Sequence, residues 1–119
     1  MPPGAPIVTS LRARGRDRVV VDLDGAPWRE LPCDPVVRAG LAVGLVLDRE
    51  RARALRRALR EHGAERAALR ALGLRDHTTV SLERRLARRG HGEAERTAAV
   101  ERLQRAGLVD DRRFADERA

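Results

Sequence analysis

The spacing of hydrophobic positions changes along this chain, and the change divides it into two predicted regions. Near the N-terminus, β-branched and apolar residues form the short runs Ile7–Leu11 and Arg18–Leu23, and Asp24-Gly25 is a strong hairpin turn signal. From Asp48 onward the apolar residues recur every three or four positions, which is the period of an amphipathic helix. We therefore predict a two- or three-stranded element in residues 1–33 and a helical region after Asp48. Breaks between the helices are expected near residues 74–78, 90–92 and 107–110.

Capping signals mark where the first helices begin and end. Asp34 precedes Pro35, a pair that suits an N-cap and the first helical position, so a short helix should end at Gly40. Asp48 should cap the long helix that follows. The apolar stripe of that helix comprises Ala52, Leu55 and Leu59. Gly63 interrupts the pattern, and the sequence leaves open whether one helix or two follow.

The last third of the chain repeats leucines and glycines at fixed spacings. Leu82 and Leu86 are four residues apart and so lie on one helix face. Gly90 and Gly107 each follow a run of helix-forming residues, where a left-handed residue can end a helix. Asp110 and Asp111 can cap the next helix, and Phe114 would be its first buried side chain. The large apolar residues predict one core cluster, formed by Leu69, Leu72, Leu82, Leu86, Val100, Leu103, Leu108 and Phe114.

Positive charge is concentrated in the middle of the chain. Residues 48–92 carry thirteen arginines and six acidic residues, a net charge of +7, and the flanking segments are near neutral. At about 100° per residue, an arc opposite Leu82 and Leu86 is occupied by the basic side chains of Arg84, Arg85 and Arg88, while Arg89 lies at the border of the leucine stripe. Arginine binds phosphate in a bidentate manner, although a solvated helix surface would show the same pattern. This arginine face is the candidate binding surface.

No catalytic or metal-binding pattern is present in the sequence. His62, His77 and His91 are far apart and lack the spacing of metal ligands, which makes them helix-end or turn residues. The single cysteine, Cys33, excludes an internal disulfide and suits a reducing compartment. The longest apolar run, Leu41–Leu47, is too short to cross a membrane. We predict a cytoplasmic protein that is not an enzyme and uses no cofactor or metal.

The pattern from Ala67 to Ala115 resembles the RecX family, the regulators of the RecA recombinase. Its most specific part is the segment from Gly107 to Ala115, which is similar to the Gly-x-x-Asp-Asp-x-x-Phe-Ala sequence of the three-helix repeat in that family. The residues that match the family motif are Leu82, Leu86, Gly90, Leu103, Gly107, Asp110, Asp111 and Phe114. Glu95 and Arg96 depart from the motif, because the third helix of the repeat usually buries apolar side chains there. We therefore expect this helix to be weakly anchored.

Two further positions near the helix starts depart from the family motif. Ser81 stands where a glutamate would complete a capping box with Thr78, and Gly92 stands where a capping aspartate is common. The resemblance nevertheless implies a mainly α fold, in which a small N-terminal β-hairpin element precedes a three-helix repeat. The expected domains are a β-rich extension at 1–47 and a helical region at 48–119. One full repeat is expected at about 64–109, followed by the start of a second, so the chain should be truncated relative to tandem-repeat relatives.

The resemblance also implies a function. RecX-like proteins bind the RecA filament and inhibit it, in the regulation of DNA repair, homologous recombination and the SOS response. The residues expected to contact RecA or DNA here are Arg84, Arg85, Arg88 and Arg89. The expected partners are the RecA filament and, through phosphate contacts, single-stranded DNA, for a monomer whose single repeat should give weak activity. A small basic DNA-binding module of the helix-turn-helix type is the alternative, and an inert fragment is a third possibility.

Overall fold

The N-terminal part of the chain forms a three-stranded antiparallel sheet. The structure, a computed structural model, describes residues 4–109 and Asp111. Strands β1 (Val8–Arg14), β2 (Arg18–Leu23) and β3 (Ala26–Pro32) lie in the order β1-β2-β3. The predicted N-terminal β-element is thus confirmed, with three strands. β1 continues beyond its apolar run because its backbone stays paired with β2 as far as Arg14. On the surface of this pair of strands, Arg12 Nη2 lies 2.8 Å from Asp22 Oδ1.

Helix α1 (Cys33–Arg38) follows β3 directly. The prediction that Asp34 is its N-cap is wrong, because Pro32 occupies that position and makes no side-chain cap hydrogen bond. Asp34 instead lies in the first turn, where its carboxylate is 2.6 Å from Arg38 Nη2. The predicted end of the helix is confirmed, since Gly40 has a φ of +72° and the chain leaves the helix there.

The core of the first unit lies between the sheet, α1 and the beginning of α2 (Arg49–Leu74). Asp48 Oδ1 accepts a hydrogen bond of 2.8 Å from the Arg51 N–H, which confirms the predicted cap. Leu55 is buried, and the rest of its predicted stripe packs at the edge of the same cluster. The helix runs through Gly63 without interruption. The first compact unit ends at Leu59 and the second begins at Arg60, so this division falls within α2.

The second unit consists of the remainder of α2 with α3 (Thr79–Arg88) and α4 (Glu93–Arg105). Its core contains Leu82 and Leu86, which are completely buried, together with Val100 and Leu103, as predicted. The face that α2 presents to these residues consists of alanines spaced three and four apart, Ala64, Ala67, Ala68 and Ala71. A core in which one helix contributes mainly methyl groups buries little apolar area per residue.

Two of the leucines predicted for the core lie outside it. Leu69 is 40% exposed because the alanine face, and not the larger side chains, is the one that α2 turns inward. Leu108 is 51% exposed, and Val109 is buried in its place. Leu72 is partly buried at the edge of the cluster. Phe114 lies outside the described residues, so its predicted burial stays a prediction.

The glycines at the ends of α3 and α4 terminate these helices as predicted. Gly90 and Gly107 have φ values of +91° and +77°, a conformation that costs glycine little. After Gly90, the His91 N–H donates a hydrogen bond of 3.1 Å to the Leu86 carbonyl. After Gly107, the Leu108 N–H donates one of 2.9 Å to the Leu103 carbonyl. These are the hydrogen bonds of Schellman motifs, which satisfy carbonyls that a helix end otherwise leaves free. The expected breaks between the helices are confirmed.

Candidate functional site

The N-terminus of α3 is fixed by a capping box. Thr78 Oγ1 accepts a hydrogen bond of 3.1 Å from the Ser81 N–H, and Ser81 Oγ accepts one of 3.0 Å from the Thr78 N–H. The sequence pattern suggested that this box would be incomplete without a glutamate. A serine completes it here because its short hydroxyl reaches the N-cap N–H directly. The helix that carries the arginine face therefore has a well-defined start.

His77 is buried beside this cap, with only 5% of its surface exposed. Its Nδ1 lies 3.0 Å from Ser81 Oγ, and its Nε2 is buried and has no hydrogen-bond partner among the described residues. The pKa of His77 is lowered first by burial and then by the positive charges of Arg75, Arg85 and Arg88, while Asp76 opposes them. The imidazole is therefore neutral at neutral pH. Nothing in the sequence indicates this burial, because His77 lies in a predicted break between helices.

The carboxylate of Asp111 also accepts hydrogen bonds at the start of α3. Its Oδ1 accepts a hydrogen bond of 2.8 Å from the Thr79 N–H, and its Oδ2 accepts one of 2.7 Å from Thr79 Oγ1. The pKa of Asp111 is lowered first by the Thr79 hydroxyl and then by the Thr79 backbone N–H. The pattern predicted Asp111 as a cap for the following helix, whereas its carboxylate interacts with the first turn of α3. Asp110 lies outside the described residues.

The arginine face of α3, defined as Arg84, Arg85, Arg88 and Arg89, lies mostly in solvent. Arg85 is half-buried and the other three are exposed. None of the four forms an ion pair with an acidic residue in the part of the chain that the structure describes. Leu82 and Leu86 anchor the opposite side of the helix in the core. The face can therefore offer several guanidinium groups to an anionic partner without breaking an ion pair among residues 4–109 and Asp111.

Arg75 adds a positive charge that acts on His77 together with the arginines of α3, although the sequence did not indicate this. Arg75 lies in the connection between α2 and α3, outside any helical period, yet its charge acts on His77 together with those of Arg85 and Arg88. Positive side chains from two segments thus lower the pKa of the same histidine. Only the folded chain brings them together.

Charged residues anchor α4 where apolar ones were expected. Glu95 Oε1 lies 3.0 Å from Arg60 Nε on α2, and Arg96 Nη1 donates to the His91 carbonyl at 2.7 Å. The pKa of Glu95 is lowered first by a hydrogen bond from its own backbone N–H and then by Arg60. Polar contacts thus stand at the two positions where the family motif buries apolar side chains. Gly92, the N-cap, makes no side-chain cap hydrogen bond.

These features define a class of protein: a three-stranded sheet followed by a three-helix unit, whose middle helix carries a basic face with no acidic partner among the described residues. Among the described residues, no helix is both long enough and apolar enough to cross a membrane. No family model matches the chain.

Comparison with known proteins gives a more specific assignment. Over 50 residues, 42% of this chain and 31% of the relative, the sequence is 46% identical to the regulatory protein RecX of Halorhodospira halophila. Over 58 residues, 49% of this chain and 34% of the relative, it is 41% identical to the regulatory protein RecX of Mycobacterium avium. The matched segment thus spans about a third of the length of each relative.

A solved structure has the same fold. The crystal structure of a regulatory protein RecX matches 92% of this chain and 55% of its own, with a TM-score of 0.82 and 21% sequence identity. At that identity the likeness shows the fold alone. This chain is therefore similar in sequence, over about half of its length, to regulatory proteins named RecX, and it has the fold of a RecX structure.

Proposed function

We propose that this protein regulates the RecA recombinase by binding the RecA filament and inhibiting it, and so acts in the control of DNA repair, homologous recombination and the SOS response. It acts in the cytoplasm by binding, without catalysis or a cofactor. The observation that carries the proposal is the arginine face of α3, which opposes the buried Leu82 and Leu86 and has no acidic partner among the described residues. The sequence similarity of this chain to proteins named as regulatory also supports the proposal.

The chemistry of the face favours phosphate contacts over base recognition. The exposed residues along α3 include Val80, Arg84, Ala87 and Arg88, and none of them carries an amide side chain. Adenine is usually read by the amides of asparagine or glutamine, whereas guanidinium groups at an exposed surface readily bind phosphate oxygens. Contacts to phosphate position a protein on DNA without selecting a sequence. This argues against the helix-turn-helix alternative.

The experiment is the inhibition of RecA-catalysed ATP hydrolysis on single-stranded DNA. Reversing the charge of Arg84, Arg85 and Arg88 to glutamate should weaken inhibition while the circular dichroism spectrum is retained, because these side chains do not contribute to the core. A matched control reverses three exposed arginines near the start of α2, namely Arg49, Arg53 and Arg56. This control makes the same change in net charge and should retain inhibition. Full inhibition by the α3 variant would contradict the proposal.

A salt titration separates this function from sequence-specific DNA binding. Direct binding to DNA should weaken steeply as salt rises, since arginine–phosphate contacts release counterions. It should also differ little between DNA sequences. Retained discrimination between sequences at high salt would favour the helix-turn-helix alternative instead.

A further inference from the structure

The first half of α2 carries a second basic surface, which the proposed function does not use. Four of its arginines are exposed, and at about 100° per residue they fall within an arc of about 100°. We call this set the α2 stripe; it consists of Arg49, Arg53, Arg56 and Arg57. Leu55, which is 2% exposed in the core of the first unit, lies about 160° from Arg53 on the same helix. The stripe therefore faces away from the core, on a helix that the core holds in place.

The charges of the α2 stripe repel one another in the isolated protein. Arg49 and Arg53 are four residues apart, as are Arg53 and Arg57, and like charges at that spacing destabilise a helix. Glu50 and Glu61 flank the stripe along the helix, yet none of its four arginines forms an ion pair in the described part of the chain. A partner with several negative charges in a row would offset this repulsion.

The length of the α2 stripe suits the backbone of a DNA duplex. From Arg49 to Arg57 the helix rises by about 12 Å, at about 1.5 Å per residue. One strand of B-DNA presents a phosphate about every 3.4 Å along its axis, so about three or four phosphates extend over the length of the stripe. Proteins that bind single strands commonly stack the bases on aromatic rings, and α2 contains no tryptophan, tyrosine or phenylalanine. The stripe therefore suits a duplex better than a single strand.

We propose that the α2 stripe binds the phosphate backbone of double-stranded DNA. Hydrogen bonds from guanidinium groups to phosphates position a protein on a duplex and do not select a sequence. The inference goes beyond the proposed function and does not depend on it, because the stripe lies in the first unit and the arginine face of α3 lies in the second. Each surface then has its own partner.

The test is the affinity of the full chain for a fluorescein-labelled DNA duplex, measured by fluorescence anisotropy over a range of salt concentrations. Arg53→Gln combined with Arg57→Gln should weaken binding about tenfold near 0.1 M salt. The slope of log affinity against log salt should become less steep by about 1.8, since each lost phosphate contact removes about 0.9.

The matched control is Arg66→Gln combined with Arg70→Gln. These two arginines are also exposed and four residues apart on α2, so the change in net charge and the spacing are the same. The control should bind the duplex within about threefold of the parent, because charges that make no contact are largely screened beyond about 10 Å at this salt concentration. Both variants should retain the circular dichroism spectrum of the parent.

Other results overturn the inference. Equal losses of affinity in the two variants would assign the effect to general positive charge, and a parent protein that does not bind the duplex would reject the surface outright. If Arg53→Gln combined with Arg57→Gln weakens binding of oligo-dT equally, the stripe belongs to single strands. If it weakens binding of poly-glutamate equally, the stripe belongs to an acidic protein surface.

The RecA ATPase assay separates this inference from the proposed function. Arg53→Gln combined with Arg57→Gln should inhibit RecA as the parent does, while its binding to the duplex is reduced. Loss of both properties in this variant would overturn the assignment of separate partners to the two surfaces. The charge reversal on α3 tests the proposed function alone.

Discussion

Replacement of Leu86 by alanine should strongly destabilise the second unit. Leu86 is completely buried in the core formed by α2, α3 and α4. The change removes three carbon atoms, which cost about 2.4 kcal/mol at about 0.8 kcal/mol each when they are lost from a buried site. A cavity adds to this cost when the neighbours cannot move into it. The neighbours on α2 are alanines, which have no rotamers to fill the space, so we expect a loss of about 3–5 kcal/mol.

Such a loss is large relative to the stability of the unit. A unit of about 60 residues has roughly 3–9 kcal/mol of folding free energy at ordinary values per residue. The variant should therefore be largely unfolded or close to its unfolding midpoint without denaturant. The assay is urea unfolding monitored by far-ultraviolet circular dichroism, which reports on helical structure. Trp28, the single tryptophan, provides a separate fluorescence signal from the first unit.

Leu74 provides the matched control, since Leu74→Ala makes the same chemical change at a residue that is 76% exposed. Its effect should stay within about 0.5 kcal/mol. A Leu86→Ala protein that melts within a degree or two of the parent would refute the reasoning, and so would equal effects at the two positions. Either result would mean that Leu86 does not lie in a tightly packed core.

Two further predictions concern the same unit. Leu69→Ala should lower the free energy of unfolding in urea by less than about 1.5 kcal/mol, because part of that side chain already lies in solvent. A loss near that of Leu86→Ala would mean that Leu69 is a core residue. Asp111→Asn should lower stability at pH 7 by about 0.3–1 kcal/mol, since it weakens an anionic partner at the N-terminus of α3. The folded pKa of Asp111 is below its ordinary value of 3.8, so its contribution is present above that pH and is lost as the pH falls further. The variant should therefore depend less on pH below about 4 than the parent, and identical acid unfolding curves for the two proteins would contradict this role.

The sequence was most informative where local chemistry decides the structure. The hairpin at Asp24-Gly25, the cap at Asp48 and the helix ends at Gly90 and Gly107 follow from backbone preferences that involve only neighbouring residues. Leu82 and Leu86 could be placed in the core for a similar reason, because their spacing of four residues puts the two leucines of this short helix on one face.

The remaining features depend on contacts between segments, which a single sequence does not display. Leu69 was misplaced because size alone suggested burial, whereas close packing of the helices favours the alanine face of α2. The burial of His77, its hydrogen bond to Ser81 and the addition of Arg75 to the basic surface all require the fold of the α2–α3 connection. The assignment of the arginine face to a partner stays a prediction, since charge and exposure are compatible with several partners.

The alanine face of α2 changes which kind of mutation damages the core of the second unit. In most cores the damaging changes are truncations, but at Ala64, Ala68 and Ala99, which are completely buried, there is almost nothing to remove. Enlargement is the hazard there, because an added isopropyl or isobutyl group must displace its neighbours at a typical cost of about 1–3 kcal/mol. Single-nucleotide changes convert every alanine codon to a valine codon, so this unit is exposed to one of the commonest conservative substitutions. We expect random mutagenesis of this protein to show valine depleted at the buried alanines of α2. At the large core residues of α3 and α4, we expect residues smaller than the native one to be depleted, namely at Leu82, Leu86, Val100 and Leu103.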